Sequence, residues 1–114
     1  MQDLALYQKL GDLSDYLFPV VDRFPKREKF ALCTQIKNCL HRAVCNTIRM
    51  QKSRDKRRWL YEVDIELEML RHFVRHSHAR RYLSNRRLKL ITEKLAEVGR
   101  IIGGLLKRFS GARS

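Results

Sequence analysis

RHFVRHSHARRYLSNRRLK, residues 71–89, holds seven arginines or lysines, three histidines and no acid. A guanidinium offers phosphate a planar fork of two hydrogen bonds together with its charge, so the chemistry this tract suits is binding of a nucleic-acid backbone. Its candidate contacts are Arg71, Arg75, Arg80, Arg81, Arg86, Arg87 and Lys89. Arg71, Arg75 and His78 recur at steps of four and three, which places them on one flank of a helix. Only Phe73 and Tyr82 interleave with the cations, which favours phosphate contact over base stacking. A second basic block, residues 26–58, supplies Lys26, Arg27, Arg42, Arg49, Arg54, Lys56, Arg57 and Arg58. The competing reading of both blocks is a solvated face that keeps the chain soluble.

Other chemistries find less support. Glu68, His72 and His76 stand at i, i+4 and i+8, which could present ligands on one helix face. They lack the His-Glu-x-x-His order or a cysteine partner, so no metal and no cofactor is expected. Cys33, Cys39 and Cys45 are spaced by six, and each step turns a helix by about 240°, so they cannot converge on one ion. From their odd number and the lack of a secretory signal, reduced thiols of a cytoplasmic protein are expected. There is no glycine-rich phosphate loop after a strand and no nucleophile or kinase signature, so neither an enzyme nor a small-molecule substrate is expected. Glu62, Asp64, Glu66 and Glu68 form an acidic patch, either solvated or set against a basic block of a neighbouring subunit.

The whole-chain charge agrees with a polyanionic partner. The net charge is +13 over 114 residues, a self-repulsion that nucleic acid would relieve. It is unevenly spread: residues 1–25 carry two bases against four acids, and residues 59–70 carry four acids and no base. Residues 26–58 hold eleven bases against two acids, and residues 71–114 twelve against two. Apolar residues make up 44%, enough for a modest single core, and no apolar run approaches the roughly 20 residues of a membrane span.

Four amphipathic helices must position these cations. Leu6, Leu10, Leu13, Leu17, Val20 and Phe24 make one stripe over about residues 3–24, with Pro19 expected to kink or shorten the helix. Pro25 opens a second helix, running to about residue 50, with a core stripe of Phe30, Cys33, Ile36, Leu40, Val44 and Thr47; Lys37, Arg42 and Arg49 stay outside it. Residues 53–58 are a charged linker in which Asp55 can cap the third helix, about residues 57–78. The centre of that helix, VDIELEM, alternates like a strand, but Leu60, Val63, Leu67, Leu70 and Val74 extend a helical pattern beyond strand length. Ser84 or Asn85 caps the fourth helix, where Leu88, Ile91, Leu95, Val98, Ile102, Leu105 and Phe109 repeat at strict three–four steps. Beside them Ala96, Gly99 and Gly103 form a stripe of small residues. Each glycine costs roughly 1 kcal/mol against alanine in a helix, which a closely packed second helix would offset. The expected architecture is all-α, an antiparallel up-down-up-down four-helix bundle in one domain, residues 1–109, followed by a disordered tail at 110–114.

Two stretches stand out together: FPKREKFAL at 24–32 and AEVGRIIGGLLK at 96–107, with Leu70, Arg71, Val74 and Arg75 between them. They resemble the accessory variability determinant (Avd) proteins of diversity-generating retroelements, within a wider four-helix-bundle group that includes the ribosomal RNA intervening-sequence proteins. The resemblance covers about residues 7–109. It implies a small, basic, non-catalytic protein that assembles as a pentameric ring, binds the retroelement's reverse transcriptase and engages template RNA and cDNA during mutagenic synthesis. It also implies roles for Arg71 and Arg75, which match the family's third-helix arginines, and for Gly99 with Arg100, which match its fourth-helix glycine–arginine. Leu105 departs from a tryptophan frequent in the family. Residues 46–50 read NTIRM rather than the Asn-Ile-Ala-Glu-Gly of the intervening-sequence proteins, which favours the retroelement branch. A stand-alone RNA- or DNA-binding protein of ribosome-associated type, and a purely structural oligomer, are the other classes the residues admit.

Overall fold

The computed structural model describes residues 2–111 as four α-helices: α1 (Gln2–Val21), α2 (Leu32–Lys52), α3 (Lys56–Ala79) and α4 (Asn85–Gly111). A short 3-10 turn, Lys26–Glu28, lies between α1 and α2, and no strand occurs among the described residues. The helices run up, down, up, down in a rod of 50 × 24 × 19 Å, with α2 packed most extensively on α3 and α4 closing against α1. Cross-helix pairs fix the antiparallel register: Lys37 with Asp22, Arg42 with Glu66, and Lys9 with Glu97.

The apolar stripes become the core. Leu6, Leu10, Leu13 and Leu17 of α1, Leu60, Leu67 and Leu70 of α3, and Ile91 and Leu95 of α4 are all but sealed from water. Each such side chain contributes about 2 kcal/mol of transfer free energy. In α3 the apparent strand alternation has a simple origin. Leu60, Val63, Leu67, Leu70 and Val74 face inward, while Tyr61, Ile65 and Met69 are exposed on the opposite face at steps of four.

Three expectations are corrected. The first helix ends at Val21, not near 24, two residues after Pro19. The Arg23 and Phe24 amides then donate to the Val20 and Val21 carbonyls in tight turns, and the residue before a proline is disfavoured in the helical region; Phe24 still reaches the core. The second helix proper starts at Leu32, because Ala31 leaves helical geometry at φ −122°, ψ −100°. That break turns Phe30 off the core stripe: it is 87% exposed, and Leu32 and Cys33 take the first buried positions. At the far end, α4 is described through Gly111; residues 112–114 of the tail expected from Ser110 lie outside the described residues.

Two side chains set helix starts as expected. The Asp55 carboxylate accepts from the Arg58 amide at 3.3 Å, and the Ser84 hydroxyl accepts from the Arg87 amide at 3.1 Å.

Candidate nucleic-acid interface

The turn from α3 into α4 is a Schellman closure. The Tyr82 amide donates to the Ser77 carbonyl and the Arg81 amide to that of His78, each at 2.9 Å. The closure requires a left-handed residue, usually glycine, and here it is Arg81, at φ 68°. Arg80, Arg81 and Arg86 are exposed at this turn, and their side chains have no hydrogen-bonding or ionic partner among the described residues. Arg87 is half-buried and donates to the Tyr16 hydroxyl at 3.4 Å, while Lys89 is exposed one turn further along α4.

Tyr82 ties this turn to the α1–α2 connection. Its hydroxyl donates to Glu28 Oε2 at 2.8 Å and accepts from Arg27 at 3.4 Å, and its ring packs 5.2 Å from that of Phe24. The clamp gathers Lys26 and Arg27 from one basic block and Arg80, Arg81 and Arg86 from the other at one end of the bundle. We call this the elbow end. Glu28 lies among these cations and accepts from the tyrosine hydroxyl, so one carboxylate stands against five bases there.

The opposite end, around the α2–α3 loop, is organised differently. Arg58 lies over the Trp59 ring at 4.6 Å and Arg49 near the same ring at 5.6 Å, a pair of cation–π contacts. Arg49 also donates to Asn46 Oδ1 at 3.0 Å, and Arg57 to the Tyr61 hydroxyl at 3.0 Å. Lys56 Nζ donates to the Met50 and Gln51 carbonyls at 3.0 and 3.3 Å, closing the end of α2. Only Arg54 of this loop is exposed without such a contact among the described residues.

Arg71 and Arg75 lie together on the α4 side of α3, where with Val74, Leu88, Thr92 and Leu95 they line a groove of about 220 Å³. Their situations differ. Arg71 is half-buried: one nitrogen donates to Glu68 at 2.6 Å and another reaches the Leu95 carbonyl of α4 at 3.5 Å. Arg75 is exposed and has no partner among the described residues. Gly99 explains how Arg71 fits, since a Cβ there would come within 3.3 Å of its guanidinium. Here the small residue admits a side chain rather than another helix. Gly103 faces open space, with no atom within 4 Å of a would-be Cβ, and Ala96 is half-buried. Among the described residues, no other helix packs against Gly103. Arg100 lies apart from the Arg71 groove, in a shallow depression with Leu90, Glu93, Lys94 and Glu97.

Arg42 is committed to the α2–α3 interface. It donates to Glu66 Oε2 at 3.0 Å and to the Cys39 sulfur at 3.7 Å, while the other Glu66 oxygen is buried without a partner. Burial, and then the Glu66 charge, push the Cys39 thiol up; burial does the same to Cys33, whose thiol donates to the Val21 carbonyl at 3.4 Å. Both are thereby disfavoured as thiolate nucleophiles. The His72 and His76 rings stack 6.5 Å apart, Glu68 is engaged by Arg71, and no group of three potential metal ligands forms among the described residues. No described helix is long and apolar enough to cross a membrane.

Both ends of the bundle are cationic, and a groove lined by Arg71 and Arg75 lies between α3 and α4. The bAvd-like family model matches residues 4–109. The chain belongs to the bAvd-like family. Avd-like proteins are accessory, non-catalytic components of diversity-generating retroelements, and this membership associates the chain with a retroelement reverse transcriptase. No curated protein matches the chain. Sequence reasoning missed two features of the Avd-like bundle: the Tyr82–Glu28 clamp and the outward position of Phe30. The first has no local signal, because its partners lie 54 residues apart. The second was signalled by proline and lysine around the break.

Proposed function

We propose that the chain is a non-catalytic subunit of a diversity-generating retroelement. It binds the reverse transcriptase, and its elbow end holds the backbone of template RNA and cDNA during mutagenic synthesis. The observation that carries the reading is the convergence of Lys26, Arg27, Arg80, Arg81 and Arg86 at that end, where the side chains of Arg80, Arg81 and Arg86 have no partner among the described residues. Arg81 is kept there in a backbone conformation that glycine would occupy more cheaply. Such cations act by neutralising phosphates and releasing counterions.

The groove between α3 and α4 suits an acidic, partly apolar segment of the polymerase, with Arg75 as its free cation and Arg71 as the support fixed against α4. The assembly we propose is a ring of five copies in the cytoplasm, as the family resemblance implies. Physical support for self-association comes from the exposed row Tyr61, Ile65 and Met69 on α3 and the open strip at Gly103. Sedimentation of the purified chain at a pentamer's mass tests the ring.

Co-purification with the reverse transcriptase tests the rest. Arg75→Ala should reduce recovery of the polymerase at least about five-fold, in the range of a lost charge-assisted contact, with the melting temperature unchanged. Undiminished recovery would remove the groove from the docking surface.

A further inference from the structure

Phe30 is the most exposed large apolar side chain among the described residues, at 87%. It serves no core position, yet it lines a cleft of about 500 Å³ in the angle between the α1–α2 connection and the start of α2. That volume lies within the range of small-ligand sites. Val21, Phe24 and Cys33, all buried, contribute its apolar part, and Lys26, Lys29 and Lys37 its charge. The one acid lining it, Asp22, is bound to Lys37 at 2.6 Å, and Glu28 nearby is held by Tyr82. Lys26 and Lys29 make no ion pair among the described residues, and Lys29 Nζ stands 5.4 Å from the centre of the Phe30 ring. No side chain caps α2 at Ala31, and Cys33 and Thr34 of its first turn line the same cleft. The positive end of the helix dipole therefore adds to the field there.

A flat ring presented to water with Lys29 over it, Lys26 in the same cleft and an apolar recess match the needs of an unstacked nucleobase with its flanking phosphates. We propose that Phe30 and this cleft form a stacking site for one unpaired base of single-stranded RNA, with Lys26 and Lys29 on the adjoining phosphates. The proposal rests on the nucleic-acid reading above and adds a base contact to it. Within residues 71–89 only Phe73 and Tyr82 accompany the cations, which by itself favours phosphate contact. The stacking ring comes instead from the other basic block, which the Tyr82 clamp draws to the same end.

Fluorescence anisotropy of the whole chain with labelled oligouridylate, and competition by heparin as a base-free polyanion, separates stacking from charge. At fixed salt, Phe30→Ala should weaken oligouridylate binding about ten-fold, or about 1.4 kcal/mol, and leave heparin binding unchanged; Phe30→Trp should retain wild-type affinity. The ring is exposed, so the melting temperature should not move. Unchanged oligouridylate affinity in Phe30→Ala overturns the stacking site, as does an equal loss for heparin. Retained RNA affinity with lost recovery of the reverse transcriptase would instead make Phe30 a protein anchor, and also overturns it. A wild-type chain that binds neither polyanion fails the phosphate reading itself, whereas wild-type binding insensitive to Phe30→Ala fails the stacking site alone.

Discussion

Around the α2–α3 loop, Arg49 and Arg58 lie against Trp59, Arg57 donates to Tyr61, and Lys56 closes the end of α2. At the elbow end, Arg80, Arg81 and Arg86 touch no partner among the described residues. The two basic blocks are similar in sequence, eleven bases against two acids and twelve against two, but similar charge is not similar availability. A guanidinium already resting on an aromatic face, or an ammonium already on carbonyls, must give up that contact to reach a phosphate. An unpartnered one gives up only water. The difference arises from neighbours: Trp59 and Tyr61 stand within one turn of the loop cations, whereas the elbow's Tyr82 is taken up by Glu28, Arg27 and Phe24.

Replacing three cations at each end is the strongest way to break this comparison. Arg80→Ala with Arg81→Ala and Arg86→Ala should lower RNA affinity about a hundred-fold near physiological salt. The slope of log affinity against log salt should become shallower by about 2, at roughly 0.7 per single-strand phosphate contact. Arg54→Ala with Arg57→Ala and Arg58→Ala removes the same formal charge, yet should cost only a few-fold in affinity. Anisotropy titrations at several salt concentrations measure both. Equal losses and equal slopes would mean that total charge, not its partnering, governs binding.

Much of the bundle was legible in the sequence because periodicity is local. The inward stripes of α1, α3 and α4 sit at three–four spacing, and Asp55 and Ser84 cap where their side chains predict. What was not legible depends on a break or on distance. Phe30 reads as a core position only if one helix continues through Ala31, whose altered backbone turns it off the α2 face. The Arg71 and Arg75 pair was legible as a flank, but not the division within it. Only the approach of α4, with Gly99 opposite the guanidinium, shows that Arg71 is braced and Arg75 is free. The convergence of the two blocks at the elbow required a tyrosine and a glutamate 54 residues apart.

Lys56 gives a sharper, smaller test of the loop end. Its ammonium answers carbonyls at the C-terminal end of α2, where a cation is favoured by the helix dipole. Lys56→Ala should therefore cost about 1 kcal/mol in urea unfolding and leave RNA affinity within about two-fold, as expected for a single weakly engaged phosphate contact. A large loss of affinity with unchanged stability would reverse the assignment and place Lys56 among the binding cations.

Arg81 carries the smallest expected effect and the most discriminating, because stability and binding should move in opposite directions. Its left-handed backbone, at φ 68°, is set by the Schellman closure and not by its side chain. Arg81→Gly should therefore stabilise the bundle by about 0.5–1 kcal/mol, read as a rise in melting temperature of a few degrees. The same variant loses one exposed cation, so RNA affinity should fall about three-fold and the salt slope by about 0.7. Arg81→Asn separates the two causes, since asparagine tolerates the left-handed region but brings no charge. It should match the glycine variant in binding while gaining less stability. If both variants gained stability and kept full affinity, Arg81 would be only a poor turn residue, and the elbow's phosphate contacts would fall to Arg80, Arg86 and the lysines of the α1–α2 connection.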